Sequence, residues 1–172
     1  AGGRAIYRGK LPLIEAEARI TRYWHPYHRC LRELMDTTHA QFGEAVLIDC
    51  HSMPHEAVAG HLRPGMTRPD VVLGDRFGAA AGREVMDRVE SAFASAGLRV
   101  ARNAPFAGAF IAQSYGRPSA RRHVVQVEID RRLYLDEARV EPLASFAEVR
   151  RLMAGVIAEV AGLARRMPLA AE

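Results

Sequence analysis

Long apolar runs are missing from this chain of 172 residues. No stretch approaches 18 consecutive apolar residues, so the sequence offers no transmembrane helix and no membrane partner is expected. Cysteine is scarce too: Cys30 and Cys50 cannot build a disulfide framework, and a reducing, cytoplasmic compartment is the expectation. Lysine is nearly absent. Lys10 is the single one, and the remaining members of the 24 Lys and Arg are arginines scattered as Arg121/Arg122, Arg131/Arg132, Arg150/Arg151 and Arg165/Arg166. A net charge of +4 without one basic stripe argues against a nucleic-acid partner. The opening "AGGRAIYRGK" has neither the charged start nor the apolar core of a secretory signal. Ala1 in place of Met sets the expectation that the chain begins inside a longer protein.

What is present suits a soluble domain. With 49% hydrophobic and 26% charged residues, the chain can bury a sizeable core, and nothing resembling a linker or repeat divides residues 1–172. The apolar period switches between helix and strand. Ile14, Ala18, Tyr23, Tyr27, Leu31, Leu34 and Met35 mark a helical region from Leu13 to Phe42, closed by Gly43, with a kink or restart at Pro26. "AVLI" from Ala45 reads as a strand covered on both faces. A loop rich in Pro, Gly and His follows, then "VVLG" from Val71 as a short strand. Ala79 to Ala96 reads as a helix stopped by Gly97, and "LRVARN" as the next strand. From Asn103 to Arg122 the period is lost, as in a functional loop. "HVVQVEIDRRLY", His123 to Tyr134, alternates as a strand with one polar face. Ser145 and Glu148 are spaced as a capping box opening a helix to about Arg166. The pattern is that of an α/β domain.

Chemistry concentrates at two places. The apolar run from Ala45 leads into Asp49, Cys50, His51 and Ser52, and ligands of α/β sheets bind beyond the carboxyl ends of such strands. Asp49 capping a turn and His51 hydrogen-bonding in a loop would be the structural alternative. Glu128 faces away from Val127 and Ile129, with Arg131 close behind; a solvated strand face is the plainer alternative. A zinc hydrolase would use such a set as ligand, base and anion holder: neutral imidazole binds zinc, a carboxylate takes a proton from water, and a guanidinium pairs with an anionic substrate.

In order along the chain, "YRGKLPL", "PYH", "LIDCHSM", "RPDVVLGD", the "NAPFAG" loop with "YGRP", and "QVEIDRRLYLDE" resemble the N-formylglutamate amidohydrolase family, over Tyr7 to Glu137. The resemblance implies a zinc carboxypeptidase/aspartoacylase-like fold: a mixed central sheet between helices, a three-layer, phosphorylase/hydrolase-like sandwich. It implies hydrolysis of N-formylglutamate to formate and glutamate in histidine breakdown, or of a related N-acyl amino acid. It also implies roles: His51 as zinc ligand, Asp49 as its supporting residue, Glu128 as general base, Arg131 and Asn103 as substrate-binding residues. The family's upstream His-Ser-Gly segment, expected to supply a further ligand, has no counterpart after Ala1, so the remaining zinc ligands are expected upstream. Ala109 replaces an expected glycine, and Phe106 and Phe110 stand where tyrosines are frequent.

Other constellations compete less well. His25 and His28 are three apart on a helix, but Pro26 lies between them, and packing is the default for His28. His51 and His55 flank Pro54 and do not form H-E-x-x-H; His39, His61 and His123 have no partner spacing. Ser52 lacks a nucleophile elbow, and Cys50 points away from its neighbour His51 on a strand, as a small buried hydrophobe would. A zinc carboxypeptidase or other N-acyl amino acid deacylase, and a non-catalytic binding module on the same scaffold, remain the alternatives to a formylglutamate amidohydrolase.

Overall fold

The computed structural model describes residues 5–61, 65 and 67–162. Helix α1 (Leu13–Arg19), a π-helical turn (Ile20–Trp24) and α2 (His25–Phe42) run on from one another with helical backbone at each junction. The π turn is the disturbance anticipated at Pro26: proline has no N–H for the carbonyl four residues back and its ring crowds that carbonyl, so the preceding turn widens. Gly43, at φ 70°, ends α2 and donates its N–H to His39 O at 2.8 Å.

Four strands form a mixed sheet in the order β1 (Ala45–Met53), β4 (Arg122–Asp130), β2 (Val71–Gly74), β3 (Val100–Arg102). β1 and β4 are parallel, β4 and β2 antiparallel, β2 and β3 parallel. The expectation that the Ala45 run is covered on both faces is corrected: among the described residues β1 lies at the edge of the sheet, with Val46 exposed and Leu47 and Ile48 half-buried. The strands covered on both faces are β2, buried throughout, and β4, in which Val124, Val125, Val127 and also the polar Gln126 and Glu128 are buried. A short apolar run identifies a strand, but which neighbours flank it is decided by distant chain. β4 also stops earlier than its alternation suggested. At Asp130 the carboxylate accepts the Arg132 N–H at 3.0 Å and turns the chain into a 3-10 turn over Arg131–Leu133.

Helices cover both faces. On one, α3 (Arg83–Ser95) and α5 (Phe146–Gly162) set Val85, Met86, Val89, Phe93 and Val156 against Val71, Leu73, Val125 and Val127. Each such fully buried apolar side chain contributes about 1.5–3 kcal/mol of transfer free energy. On the other, α2 and α4 (Phe110–Tyr115) set Met35, Ala112 and Tyr115 against Ala45 and Val124. α4 lies inside the segment read as loop; six residues are too few for a helical period to declare itself. α3 begins at Arg83, after turns over the residues from Asp75, and Gly97 at φ 82° follows it. Among the described residues no Ser145–Glu148 capping box is present; the Ser145 hydroxyl donates to Leu133 O at 2.7 Å. The expected end of that helix, about Arg166, lies outside the described residues. A small pair, β5 (Leu135–Asp136) and β6 (Glu141–Pro142), completes the fold. Among the described residues no helix is long and apolar enough to cross a membrane.

Candidate active site

Parallel pairing of β1 with β4 sets His51 opposite Glu128 and Asp49 opposite Gln126. The period of two then puts all four side chains on one face of the sheet, beyond the apolar pair Leu47 and Val124 that α2 and α4 cover. His51 presents Nε2 to Asp49 Oδ1 at 3.1 Å and Nδ1 toward Glu128 Oε1 at 3.9 Å. Its side chain is 44% exposed, whereas those of Asp49 and Glu128 are 14% and 10% exposed. A reactive-type imidazole is thus open to solvent between two sheltered carboxylates. Asp49 Oδ2 is buried and has no hydrogen-bond partner.

Burial pushes the Glu128 carboxyl above its ordinary range, helped by the nearby charge of Asp49; His51, the Gln126 amide and Arg131 pull the other way. A carboxyl held up by desolvation accepts a proton more readily than an exposed one, which suits a general base. Gln126 is almost fully buried and donates Nε2–H to Glu128 Oε1 at 2.9 Å. Its own Oε1 accepts the Ala109 N–H at 2.7 Å, just before α4.

The remaining site residues of the sequence reading are arranged differently. Arg131 lies off the strand in the 3-10 turn, where it donates Nε–H to Ser52 Oγ at 3.0 Å and Nη2–H to Ser52 O at 3.2 Å, with Nη1 3.6 Å from Glu137 Oε1. Asn103, at φ 58°, clamps backbone: Oδ1 accepts the Asp75 and Phe77 N–H groups at 3.0 and 3.3 Å, and Nδ2 donates to Asp75 Oδ1 at 2.8 Å. The structure thus brings Asp49, His51 and Glu128 together and engages Arg131 and Asn103 in local structure.

Two elements escaped the sequence reading. Gln126 was visible in the polar face of β4 but passed over beside Glu128. His55 was set aside for its spacing, yet it packs Nδ1 2.8 Å from Oδ2 of the fully buried Asp130 and Nε2 2.6 Å from Arg68 Nη1. Arginine only donates, so Nε2 is the acceptor and Nδ1–H points at Asp130. His28 packs as expected, with Nδ1 2.7 Å from the Tyr115 hydroxyl.

Metal fit follows from the donor set. Among the described residues no three His, Cys, Asp or Glu side chains converge as a metal cluster, and a catalytic zinc needs three protein ligands plus an open position. His51 therefore fits one arm of such a site, with Asp49 behind the ring in the manner of a carboxylate that orients a ligating imidazole.

Comparison with known proteins supplies the family. The family model described as N-formylglutamate amidohydrolase matches residues 1–135. The chain is 35% identical to an N-formylglutamate deformylase of Pseudomonas aeruginosa over 161 residues, covering 92% of this chain and 59% of the relative. It is 34% identical to one of Pseudomonas putida over 138 residues, covering 78% and 51%. The crystal structure of N-formylglutamate amidohydrolase from Ralstonia eutropha JMP134 superposes with a TM-score of 0.82 at 34% identity, over 92% of this chain and 56% of that one. The chain thus spans between half and three-fifths of the length of these relatives.

Proposed function

The chain belongs to the N-formylglutamate amidohydrolase family, and from that premise we propose that it carries the water-activating part of a zinc-dependent amidohydrolase that converts N-formylglutamate to formate and glutamate. The observation that carries this reading is the register of His51 against Glu128, an open imidazole beside a desolvated carboxylate. Glu128 takes the proton of the water that attacks the formyl carbon, then delivers it to the glutamate nitrogen as the C–N bond breaks. With Asp49 behind Nε2, His51 offers Nδ1, on the Glu128 side, as ligand atom; the other zinc ligands come from outside the described residues. Zinc, when bound, supplies Lewis acidity to the formyl oxygen and to the attacking water.

Arg131 stands close enough for its charge to act on Glu128, and in this proposal it exchanges its loose contact with Glu137 for a substrate carboxylate. Asn103 acts on substrate through the Asp75–Phe77 backbone that it holds. The helices on both faces of the sheet are read as the outer layers of a three-layer sandwich, and the free Cys30 and Cys50, the latter exposed and not buried as its strand position suggested, suit a cytoplasmic protein.

Formate release from N-formylglutamate, measured on the full-length protein supplied with zinc, tests the reading. N-acetyl- and N-succinylglutamate and short peptides form the comparison panel. Preference for the formyl compound is expected; turnover confined to peptides or longer acyl groups would replace the substrate, and no turnover of any member would overturn the enzyme.

A further inference from the structure

Gln126 occupies a position that the proposed chemistry leaves unexplained. It is a neutral amide, 3% exposed, in the middle of a strand buried on both faces. Both ends of its side chain are engaged, one by the Ala109 N–H and the other by Glu128. The amide cannot be reversed. Turned over, it would set its NH2 against the Ala109 N–H and its carbonyl against a carboxylate, losing two hydrogen bonds for two repulsions. An amide bonded in this sense is a directional relay between a loop backbone and a carboxylate.

The fold makes a specific provision for that relay. Gln126 is the cross-strand partner of Gly74 on β2. A Cβ on Gly74 would stand 2.5 Å from Gly108 N, 2.6 Å from Ala107 C and 2.9 Å from Phe106 O. Only glycine lets the loop backbone lie on the strand end. Ala107 O is fixed by the Arg76 N–H at 2.6 Å, and Gly108 turns at φ 108° to aim the next N–H at Gln126. The loop leading into α4 is therefore seated on β2 and tied through one amide to the carboxylate next to His51.

We propose that Gln126 is a positioning residue: it ties the Phe106–Ala109 backbone to Glu128, holding Oε1, the oxygen that faces His51 Nδ1, by its Nε2–H and so fixing the orientation of the base. The proposal rests on the reading of Glu128 as base. It makes the orientation of that base depend on how the loop is seated, and it assigns the Ala109 N–H a part in catalysis that no side chain at position 109 would reveal.

A double-mutant cycle in the full-length, zinc-loaded protein tests it, with Gln126→Met, Glu128→Gln and the combination. Methionine keeps the volume of glutamine and makes neither bond. Alone, Gln126→Met is expected to lower kcat about ten-fold with KM within about two-fold, because orientation and not substrate affinity is lost. In the Glu128→Gln background the same change is expected to cost less than about two-fold, since a positioning residue has nothing left to position. Equal losses in both backgrounds would overturn the proposal in favour of general structural support. A second readout needs no turnover: the Ala109 amide should exchange with solvent about ten-fold faster in Gln126→Met. In the wild-type protein the Gln126 side-chain NH2 should exchange slowly and change its resonance on Glu128→Gln; a fast-exchanging, unresponsive amide would overturn the proposal even if Gln126→Met failed to fold. Wild-type protein that releases no formate while both NMR results hold would refute the substrate assignment and leave the relay standing.

Discussion

Gly74→Ala probes the seating of the loop from the other side. The added methyl would lie 2.5 Å from Gly108 N, and ordinary van der Waals contact begins at 3.4 Å, so the loop must retreat by about 0.9 Å. The obstructing atoms are backbone, held by Arg76 and by Gln126, and no side-chain rotation relieves them. Overpacking of this kind costs about 1–3 kcal/mol, which for a chain of this size lowers the thermal midpoint by about 3–10 °C. The same retreat, passed on to Ala109, stretches its bond to Gln126 Oε1 from 2.7 Å beyond the usual 3.2 Å limit. A displacement of about 1 Å near a reacting centre can cost on the order of 100-fold in rate. Calorimetry, amide exchange at Ala109 and formate release would be measured together. Gly155→Ala in α5, where an added Cβ meets nothing within 4 Å, is the matched control: it should raise the midpoint by about 1–3 °C, since alanine is the better helix former by roughly 0.5–1 kcal/mol. A Gly74→Ala protein that melts within about 1 °C of wild type with unchanged exchange at Ala109 would refute the close-approach argument.

Glu128→Gln should leave zinc bound and slow formate release about 100-fold or more, whereas His51→Ala should lose metal and turnover together; metal analysis beside a rate assay separates the two roles, and an active Glu128→Gln protein would end the assignment of the base. Arg131→Met removes the charge together with the bonds to Ser52; if Arg131 meets a substrate carboxylate, KM should rise about ten-fold or more, and an unchanged KM would confine it to holding Ser52. His123 gives the pH prediction. Burial holds its imidazole below the ordinary value of 6.5 against the opposing pull of Glu44, with Arg121 adding to the lowering. The folded protein therefore binds fewer protons than the unfolded one below that pH. Stability is full above about 6.5 and is lost as the pH falls through the folded value, when a protonated Nδ1 can no longer accept the Gly82 N–H. His123→Gln should flatten the dependence of thermal midpoint on pH between 7.5 and 5, and an equally steep decline in that variant would remove His123 as its cause.

The parts of the fold that were legible in the sequence are those that short-range periodicity fixes. The Leu13–Phe42 helix ends at Gly43 because a left-handed residue is needed there, and the disturbance before Pro26 follows from a missing N–H. Whether a strand is central or at the edge is set by partners far along the chain. The run at Ala45 and the strand at His123 accordingly exchanged their expected burial. The spacing of Ser145 and Glu148 is likewise local, and it could not show that the serine hydroxyl donates to the carbonyl of Leu133 in another turn.

In the site the same division separates chemistry from support. His51 and Glu128 could be read because each stands on a strand whose period fixes its face, and because an imidazole and a carboxylate are conspicuous among valines. Arg131 could not be placed, since three hydrogen bonds accepted by Asp130 and Ser52 decide that the strand ends before it and that its guanidinium turns back on β1. Asn103 looked like a substrate residue because it opens a loop, and only the Asp75 and Phe77 N–H groups reveal what its amide holds. Gln126 has the periodicity of Glu128 and was no harder to locate. Its part depends on a backbone N–H seventeen residues earlier, delivered by a loop that can close only over a glycine on a third strand. No alternation or spacing within β4 encodes that dependence, so a relay of this kind becomes visible only when the strand order is known.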